Sequence, residues 1–172
     1  LVRRQRQMCI RDRNSEVLKA QMAALGGSPQ PMAFSEVYGA LQTGVVDGQE
    51  NTWSNIYGKK FFEVQDGVTE TNHGIIDYML VTSTDWWDSL DAGVRDQLSK
   101  IIAEVTEARN SESTAVNESA KQEIISSGGV VRQLTSSQRD AWVAAMMPVW
   151  DQFKGDVGED NIAAAQAINA NH

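Results

Sequence analysis

The loop at residues 49–51 carries the side chains of greatest chemical interest. Gln49, Glu50 and Asn51 follow an apolar pair and an Asp47-Gly48 turn, so an amide, a carboxylate and a second amide stand in a row. Such a row is costly to bury unless each group has a hydrogen-bond partner. Asn51 offers two donors and one acceptor, which suits a carboxylate or hydroxyl oxygen and equally suits the start of the following helix. The loop is typical of a binding wall.

Acid–base catalysis is the competing chemistry. Asp47 and Glu50 could form a general acid/base pair, although a turn at Asp47 and a backbone-amide acceptor at Glu50 are the structural alternatives. His73 and His172 are the only histidines, and the sequence has no G-x-S-x-G, H-E-x-x-H or glycine-rich phosphate motif. We therefore expect no enzyme, no metal and no cofactor.

The charge of the chain is unevenly distributed. The formal net charge is −8, which argues against a nucleic-acid partner or an anionic membrane surface. Residues 1–13 hold five Arg and one Asp, a net of +4, whereas residues 14–172 hold 10 basic and 22 acidic residues, a net of −12. Cys9 is the only cysteine, so no disulfide can form within the chain. No run of eighteen apolar residues is present, which argues against membrane insertion.

The strands and helices on either side of the loop can be predicted from proline, glycine and helix-capping residues. Pro29 and Pro31 favour extended backbone and predict a short strand. Ser35 is expected to cap a helix of about two turns, and Gly44 is expected to reverse the chain after it. A preceding helix is predicted at residues 14–25, capped by Asn14 or Ser15.

The remaining pattern alternates helices with strands and indicates an α/β fold. A ten-residue buried strand is predicted at 74–83, followed by a short helix in which Trp86 and Trp87 look like core residues. The other predictions are helices at 54–64, 91–127, 137–153 and 159–170 and a strand at 130–134. The longest helix is polar nearly all round at 110–120, which is typical of a helix that bridges two lobes through solvent.

These residues together resemble a known family. PMAFSEVYGALQTGVVDGQEN, then Trp-Ser-Asn, KKFFEVQ and TNHG, closely resemble the solute-binding proteins of tripartite ATP-independent periplasmic (TRAP) transporters, the DctP-like family. The resemblance runs from about residue 14 to the C-terminus and corresponds to the C-terminal half of a family member. It implies an α/β, periplasmic binding protein-like fold of the type II-like, two-lobe kind, truncated, with a long interlobe helix.

The resemblance also implies a division of the chain. Residues 1–13 have no helical or strand period and are interpreted as a non-native basic leader. Residues 14–76 are expected to form part of the ligand-binding lobe. Residues 77–116 supply a crossing strand and the long helix to the other lobe, and residues 117–172 return to the first lobe as C-terminal helices.

Five ligand-binding residues follow from the resemblance. Arg11 falls where the family has the Arg that pairs with the ligand carboxylate, although it lies in the basic leader. Phe34 takes the place of an aromatic that packs against the ligand, and Asn51 that of a ligand-contacting Asn. Trp53 and Asn55 resemble the variant found in binders of four-carbon dicarboxylates. The alternatives for Phe34 and Trp53 are ordinary core roles.

The implied function is transport. The chain is expected to act in the periplasm, to capture a small organic acid, most readily a C4-dicarboxylate, and to deliver it to TRAP membrane permease subunits. A missing N-terminal half would account for the absence of a signal peptide. The alternatives are the same module for sialic acid or a sugar acid, a small hydrolase using Asp47 and Glu50, and an assembly protein built on the helix at 91–127.

Overall fold

The computed structural model describes residues 9–12 and 15–169. Within these residues the chain divides into two compact units. Unit 1 comprises residues 9–12, 15–50, 60–71 and 130–169, and unit 2 comprises residues 51–59 and 72–129.

Unit 1 is built on a three-stranded parallel sheet. Strand β1 (Cys9–Asp12) lies in the middle, with β2 (Ser28–Pro31) on one side and β3 (Gly48–Gln49) on the other. Helix α1 (Glu16–Ala24) connects β1 to β2, as parallel strands require a crossover. Its start follows the prediction, because the Ser15 side chain accepts a hydrogen bond of 3.4 Å from the backbone N–H of Leu18.

The expectation that residues 1–13 contain no strand was wrong. Residues 9–12 pair with Ser28–Pro31 over their whole length and with the two residues of β3. Backbone hydrogen bonds to β2 on one side and β3 on the other stabilise β1 as a strand. A segment of four residues is too short to show the period of a strand in its sequence, so this pairing could not be predicted from the local pattern.

The connection from β2 to β3 differs in detail from the prediction. Ser35 lies inside a 3₁₀ turn (Phe34–Glu36), and helix α2 (Val37–Gln42) begins only after it without a side-chain cap. Ser35 is therefore no N-cap. Gly44 does reverse the chain, with a φ of 71°, and the backbone N–H of Val45 returns to Ala40 O at 2.9 Å.

The core of unit 1 forms where α2 meets a second 3₁₀ turn (Phe61–Val64). Val37, Val46 and Phe61 are almost completely buried. Beyond this core, β4 (Val68–Glu70) pairs in parallel with β5 (Val131–Gln133). The chain ends in helices α6 (Ser136–Val157) and α7 (Glu159–Asn169). Helix α6 starts at a Thr135–Gln138 capping box and continues through Pro148.

Unit 2 contains three helices within its described residues, α3 (Trp53–Gly58), α4 (Thr84–Ser89) and α5 (Ala92–Ser126). The prediction of one helix over 54–64 was wrong, because α3 ends at Gly58 and Lys60 adopts a left-handed φ of 57°. The long helix is confirmed: Asp91 caps α5 through a 2.8 Å bond from Gly93 N–H, and Gly128 follows its end. Ala120 and Ile124 of α5 and Ile56 of α3 form the buried part of this unit.

The predicted buried strand at 74–83 was also wrong. The segment has no strand pairing to any residue that the structure describes, and Ile75 and Met79 are 84% and 85% exposed. A β-prone segment becomes a strand only beside another strand, and none of the described strands lies there. Trp86, expected in the core, is 50% exposed. Across the described ranges, no helix combines the length and the apolar character needed to cross a bilayer.

Candidate functional site

The carboxyl edge of the three-stranded sheet is the natural position for a site in unit 1. The chain runs from β1 to β2 on one side and then crosses to β3 on the other side. In open parallel sheets, ligands bind outside the carboxyl ends of the strands where the connections change direction in this way. Arg11 is the third of the four β1 residues, in register with Gln30 of β2 and Gln49 of β3. Its backbone therefore lies near this edge.

Phe34 follows β2 at the same edge. Its ring meets the Phe61 ring edge to face, with centroids 5.7 Å apart and planes at 87°. Phe61 is 1% exposed, whereas Phe34 is half-buried. Packing on a fixed aromatic holds the Phe34 ring in place while part of it stays accessible.

Gln49 ends β3 and carries an unusual acceptor. Its side-chain Oε1 is buried and has no hydrogen-bond partner among the described residues. A buried acceptor without a partner costs free energy of folding, so such an atom is a candidate for a donor supplied from elsewhere. The chain leaves β3 through Glu50 and reaches Asn51, the first residue of unit 2.

In unit 2 the structure brings Asn51 and Asn55 together. Asn51 Oδ1 accepts two hydrogen bonds, one of 3.1 Å from the backbone N–H of Thr52 and one of 2.7 Å from Asn55 Nδ2. Asn55 Nδ2 is also 3.5 Å from the Tyr78 hydroxyl. The oxygen of Asn51 is thus used at the start of α3, and its two N–H donors make no hydrogen bond to another described residue. The helix-starting role and a role in anion binding are compatible.

Trp53, in the first turn of α3, contacts α5. The ammonium group of Lys121 lies 5.5 Å from the centroid of its indole ring, within cation–π range. One residue further on, the backbone N–H of Ser54 donates to Asn117 Oδ1 at 3.1 Å. Sequence reasoning missed both α5 residues. Asn117 lies in the polar stretch at 110–120 that it assigned to solvent, and Lys121 is the residue directly after that stretch.

The predicted site residues therefore form two groups. Arg11 and Phe34 belong to unit 1, and Asn51, Trp53 and Asn55 belong to unit 2. The last four are half-buried, so none of them points into a sealed core. The side chain of Arg11 lies outside the described part of the structure.

Asp47 and Glu50 stand on either side of the two-residue strand β3. Asp47 is exposed in the bend before the strand, and Glu50 is half-buried directly after it. In residues 9–12 and 15–169 no group of three His, Cys, Asp or Glu side chains is arranged to hold a metal ion.

Each unit also has a surface cavity, which its own predicted site residues do not line. In unit 1 a cavity of about 200 Å³ lies between α1, α6 and α7. In unit 2 a wider groove of about 460 Å³ lies between α3 and α5, bordered by Ser54, Tyr57 and the acidic residues Glu112 and Glu123. The linings of both are mainly apolar.

Known proteins are similar to this chain in sequence and in fold. The sequence model of bacterial extracellular solute-binding proteins, family 7 (DctP), matches residues 6–156. The C4-dicarboxylate-binding periplasmic protein DctP of Vibrio cholerae is 62% identical over 155 residues, which make up 90% of this chain and 47% of that protein.

Two crystal structures of TRAP periplasmic solute-binding proteins superpose closely. The protein from Shewanella oneidensis, with bound succinate, has a TM-score of 0.92 and 42% identity over 95% of this chain and 54% of its own. The protein from Pseudomonas aeruginosa, with bound L-malate, has a TM-score of 0.82 and 38% identity over 84% of this chain and 51% of its own.

These similarities confirm the resemblance and the periplasmic binding protein-like fold that it implied. The chain spans about half the length of the relatives that it matches. Since the family match covers most of the chain, the protein belongs to the bacterial extracellular solute-binding proteins of family 7, the DctP family.

Proposed function

We propose that this chain serves in a TRAP solute-binding protein that captures a C4-dicarboxylate outside the cytoplasm and delivers it to a membrane permease. The observation that carries the proposal is the sheet order, which places Arg11 in a central strand at the carboxyl edge, beside strand β3 that leads to Asn51. The ligands of the V. cholerae, S. oneidensis and P. aeruginosa relatives, all four-carbon dicarboxylates, support the substrate class.

Each proposed residue has a definite task. Arg11 supplies a positive charge and a planar pair of donors that match a carboxylate. Asn51 adds the two N–H donors that its helix-starting role leaves available. Phe34 and Trp53 each offer apolar surface to the short carbon chain of the ligand. The mechanism is binding and release, without covalent chemistry.

The negative charge of the chain makes dicarboxylate affinity depend strongly on Arg11. Residues 14–172 carry a net charge of −12, so a dianion approaches an unfavourable field unless a fixed cation is present. We therefore expect affinity to depend more on Arg11 than on any single polar contact.

A chimera provides the test. In it, the region of the V. cholerae relative that matches this chain is replaced by this chain. Calorimetric titration is expected to detect succinate, L-malate and fumarate, and to detect N-acetylneuraminate and glucuronate weakly or not at all. Tight binding of the sialic or sugar acid instead, with no dicarboxylate binding, would overturn the substrate assignment.

Two substitutions at residue 11 refine the test. Arg11→Gln removes the charge and is expected to lower dicarboxylate affinity by about 30-fold or more. Arg11→Lys keeps the charge and loses the planar fork, so it is expected to fall between Gln and the native Arg. Full affinity in the Gln variant would show that Arg11 is no ligand.

A further inference from the structure

The short helix α3 begins without a cap of its own. Thr52 is its N-cap residue, and the Thr52 side chain accepts no hydrogen bond from a backbone N–H of the first turn. An N-cap side chain normally satisfies the backbone N–H of the second or third helical residue. In α3 the second residue is Ser54, and its N–H is satisfied by Asn117 Oδ1, 63 residues further along the chain.

The orientation of Asn117 is itself fixed. Its Nδ2 donates a 2.9 Å hydrogen bond to the backbone carbonyl of Ser113, one turn earlier on α5. This bond turns the side-chain oxygen toward α3. The half-buried Asn117 amide therefore has its oxygen and one of its two N–H donors engaged.

Lys121 adds a second contact one turn along the same face of α5. Residues 117 and 121 are four apart, so they are neighbours on the helix surface. The Lys121 ammonium group lies over the Trp53 ring, and the Asn117 oxygen meets the next residue, Ser54. Two adjacent α5 side chains thus hold the first turn of α3.

A six-residue helix depends on such contacts. Isolated helices of this length are unstable in water, so α3 keeps its shape and direction through packing on α5. The first turn of α3 carries Trp53 and Asn55, and Asn55 in turn binds the Asn51 side chain. Any change in the direction of α3 therefore moves three proposed ligand-binding residues at once.

We infer that Asn117, supported by Lys121, is a positioning residue for the organic-acid site. It holds the start of α3 from the middle of α5 and thereby sets where Asn51, Trp53 and Asn55 present their side chains. The inference rests on the proposed function, because it assigns Asn117 to the same site.

The first experiment needs no ligand and uses the 172-residue chain. Amide hydrogen exchange at residues 53–58 is expected to rise by about 10-fold or more in Asn117→Leu, which keeps the size of the side chain and loses the acceptor. Asn117→Asp keeps an oxygen that can face Ser54 but loses the donor to the Ser113 carbonyl, so its protection is expected to lie between those of the native chain and Asn117→Leu. Asn110→Leu makes the same change at an exposed position two turns earlier on α5 and is expected to alter nothing.

The second experiment measures succinate affinity in the chimera. Asn117→Leu is expected to weaken binding by about 10-fold with most of the change in the dissociation rate, and Asn110→Leu is expected to bind like the unsubstituted chimera. Lys121→Met, which keeps an aliphatic side chain and removes the ammonium group over Trp53, is expected to weaken binding by a few-fold.

The outcomes separate the inference from the proposed function. The decisive comparison is between Asn117→Leu and Asn110→Leu, both titrated well below their unfolding midpoints so that loss of folded protein does not contribute. Equal succinate affinities of those two variants overturn the positioning role alone, as does unchanged exchange at residues 53–58. An unsubstituted chimera that binds no dicarboxylate overturns the proposed function, and the positioning role with it.

Discussion

The side-chain amide of Asn55 donates a 2.7 Å hydrogen bond to the side-chain oxygen of Asn51. Because the same oxygen also accepts from the backbone N–H of Thr52, the Asn51 side chain has no acceptor left for a ligand hydroxyl, and its N–H donors bond to no other described residue. The Asn51 side chain can therefore offer only N–H donors to a ligand, and donors are the groups that bind an anion.

Asn51→Asp separates the two roles of this residue. The carboxylate keeps an acceptor for Thr52 and Asn55, so we expect the free energy of unfolding of the 172-residue chain to change by less than about 0.5 kcal/mol. The variant loses both donors and adds a negative charge, so we expect succinate affinity of the chimera to fall by about 100-fold. Urea denaturation and calorimetric titration measure the two quantities. Asn110→Asp, the same change at an exposed site, is the control, and equal effects of both variants on affinity would contradict the assignment.

The aromatic pair in unit 1 predicts a contrast between its members. Phe61 is 1% exposed, so Phe61→Ala is expected to lower the free energy of unfolding by about 3–5 kcal/mol. Phe34 is half-buried, so Phe34→Ala is expected to cost only about 1–2 kcal/mol and to weaken dicarboxylate binding in the chimera. Thermal and urea denaturation give the first comparison. If Phe34→Ala destabilises the protein as much as Phe61→Ala and leaves affinity unchanged, Phe34 is an ordinary core residue.

The exposed segment at 74–83 predicts a site of proteolysis. Tyr78 and Leu80 are 83% and 79% exposed and lie outside any described strand or helix. We expect chymotrypsin to cut the 172-residue chain first after these residues, and mass spectrometry of the early fragments will locate the cut. In the chimera, where the remaining polypeptide of a full-length relative is present, we expect protection of the same bonds. First cleavage elsewhere in the 172-residue chain would contradict the description of this segment.

The 172-residue chain alone is expected to bind no dicarboxylate measurably. A two-lobe receptor encloses its ligand from both sides, and this chain spans about half the length of its relatives. Differential scanning fluorimetry with succinate, malate and fumarate tests this expectation. A clear upward shift of the unfolding midpoint with any of the three acids would show that these residues suffice for binding.

Local signals in the sequence predicted much of the secondary structure. Ser15 was one of two candidate caps for α1, and its side chain accepts the hydrogen bond that the residue type suggests. Such signals are reliable because a cap acts within three residues of the chain. Ser35 failed as a cap because the chain enters a 3₁₀ turn there.

Long-range relationships escaped prediction. The two errors in the strand predictions were opposite. Residues 9–12 form strand β1, which was not expected, and residues 74–83 form no strand, although one was expected. Both depend on the presence of a neighbouring strand, which a local pattern does not encode. In the site, the spacing of Asn51 and Asn55 suits contact across one helical turn, whereas the pairing of Ser54 with Asn117 spans 63 residues and leaves no sequence signature.

The central place of β1 decides where an expression boundary can be drawn. A chain that began at Ser15 would lose the strand between β2 and β3 and leave those two about 10 Å apart, twice the spacing of paired strands. The backbone N–H and C=O groups of β2 and β3 that now pair with β1 would then be unpaired. Such exposed strand edges pair with other chains and lead to aggregation. Cloning designs that trim the basic N-terminal tract should therefore stop upstream of Cys9.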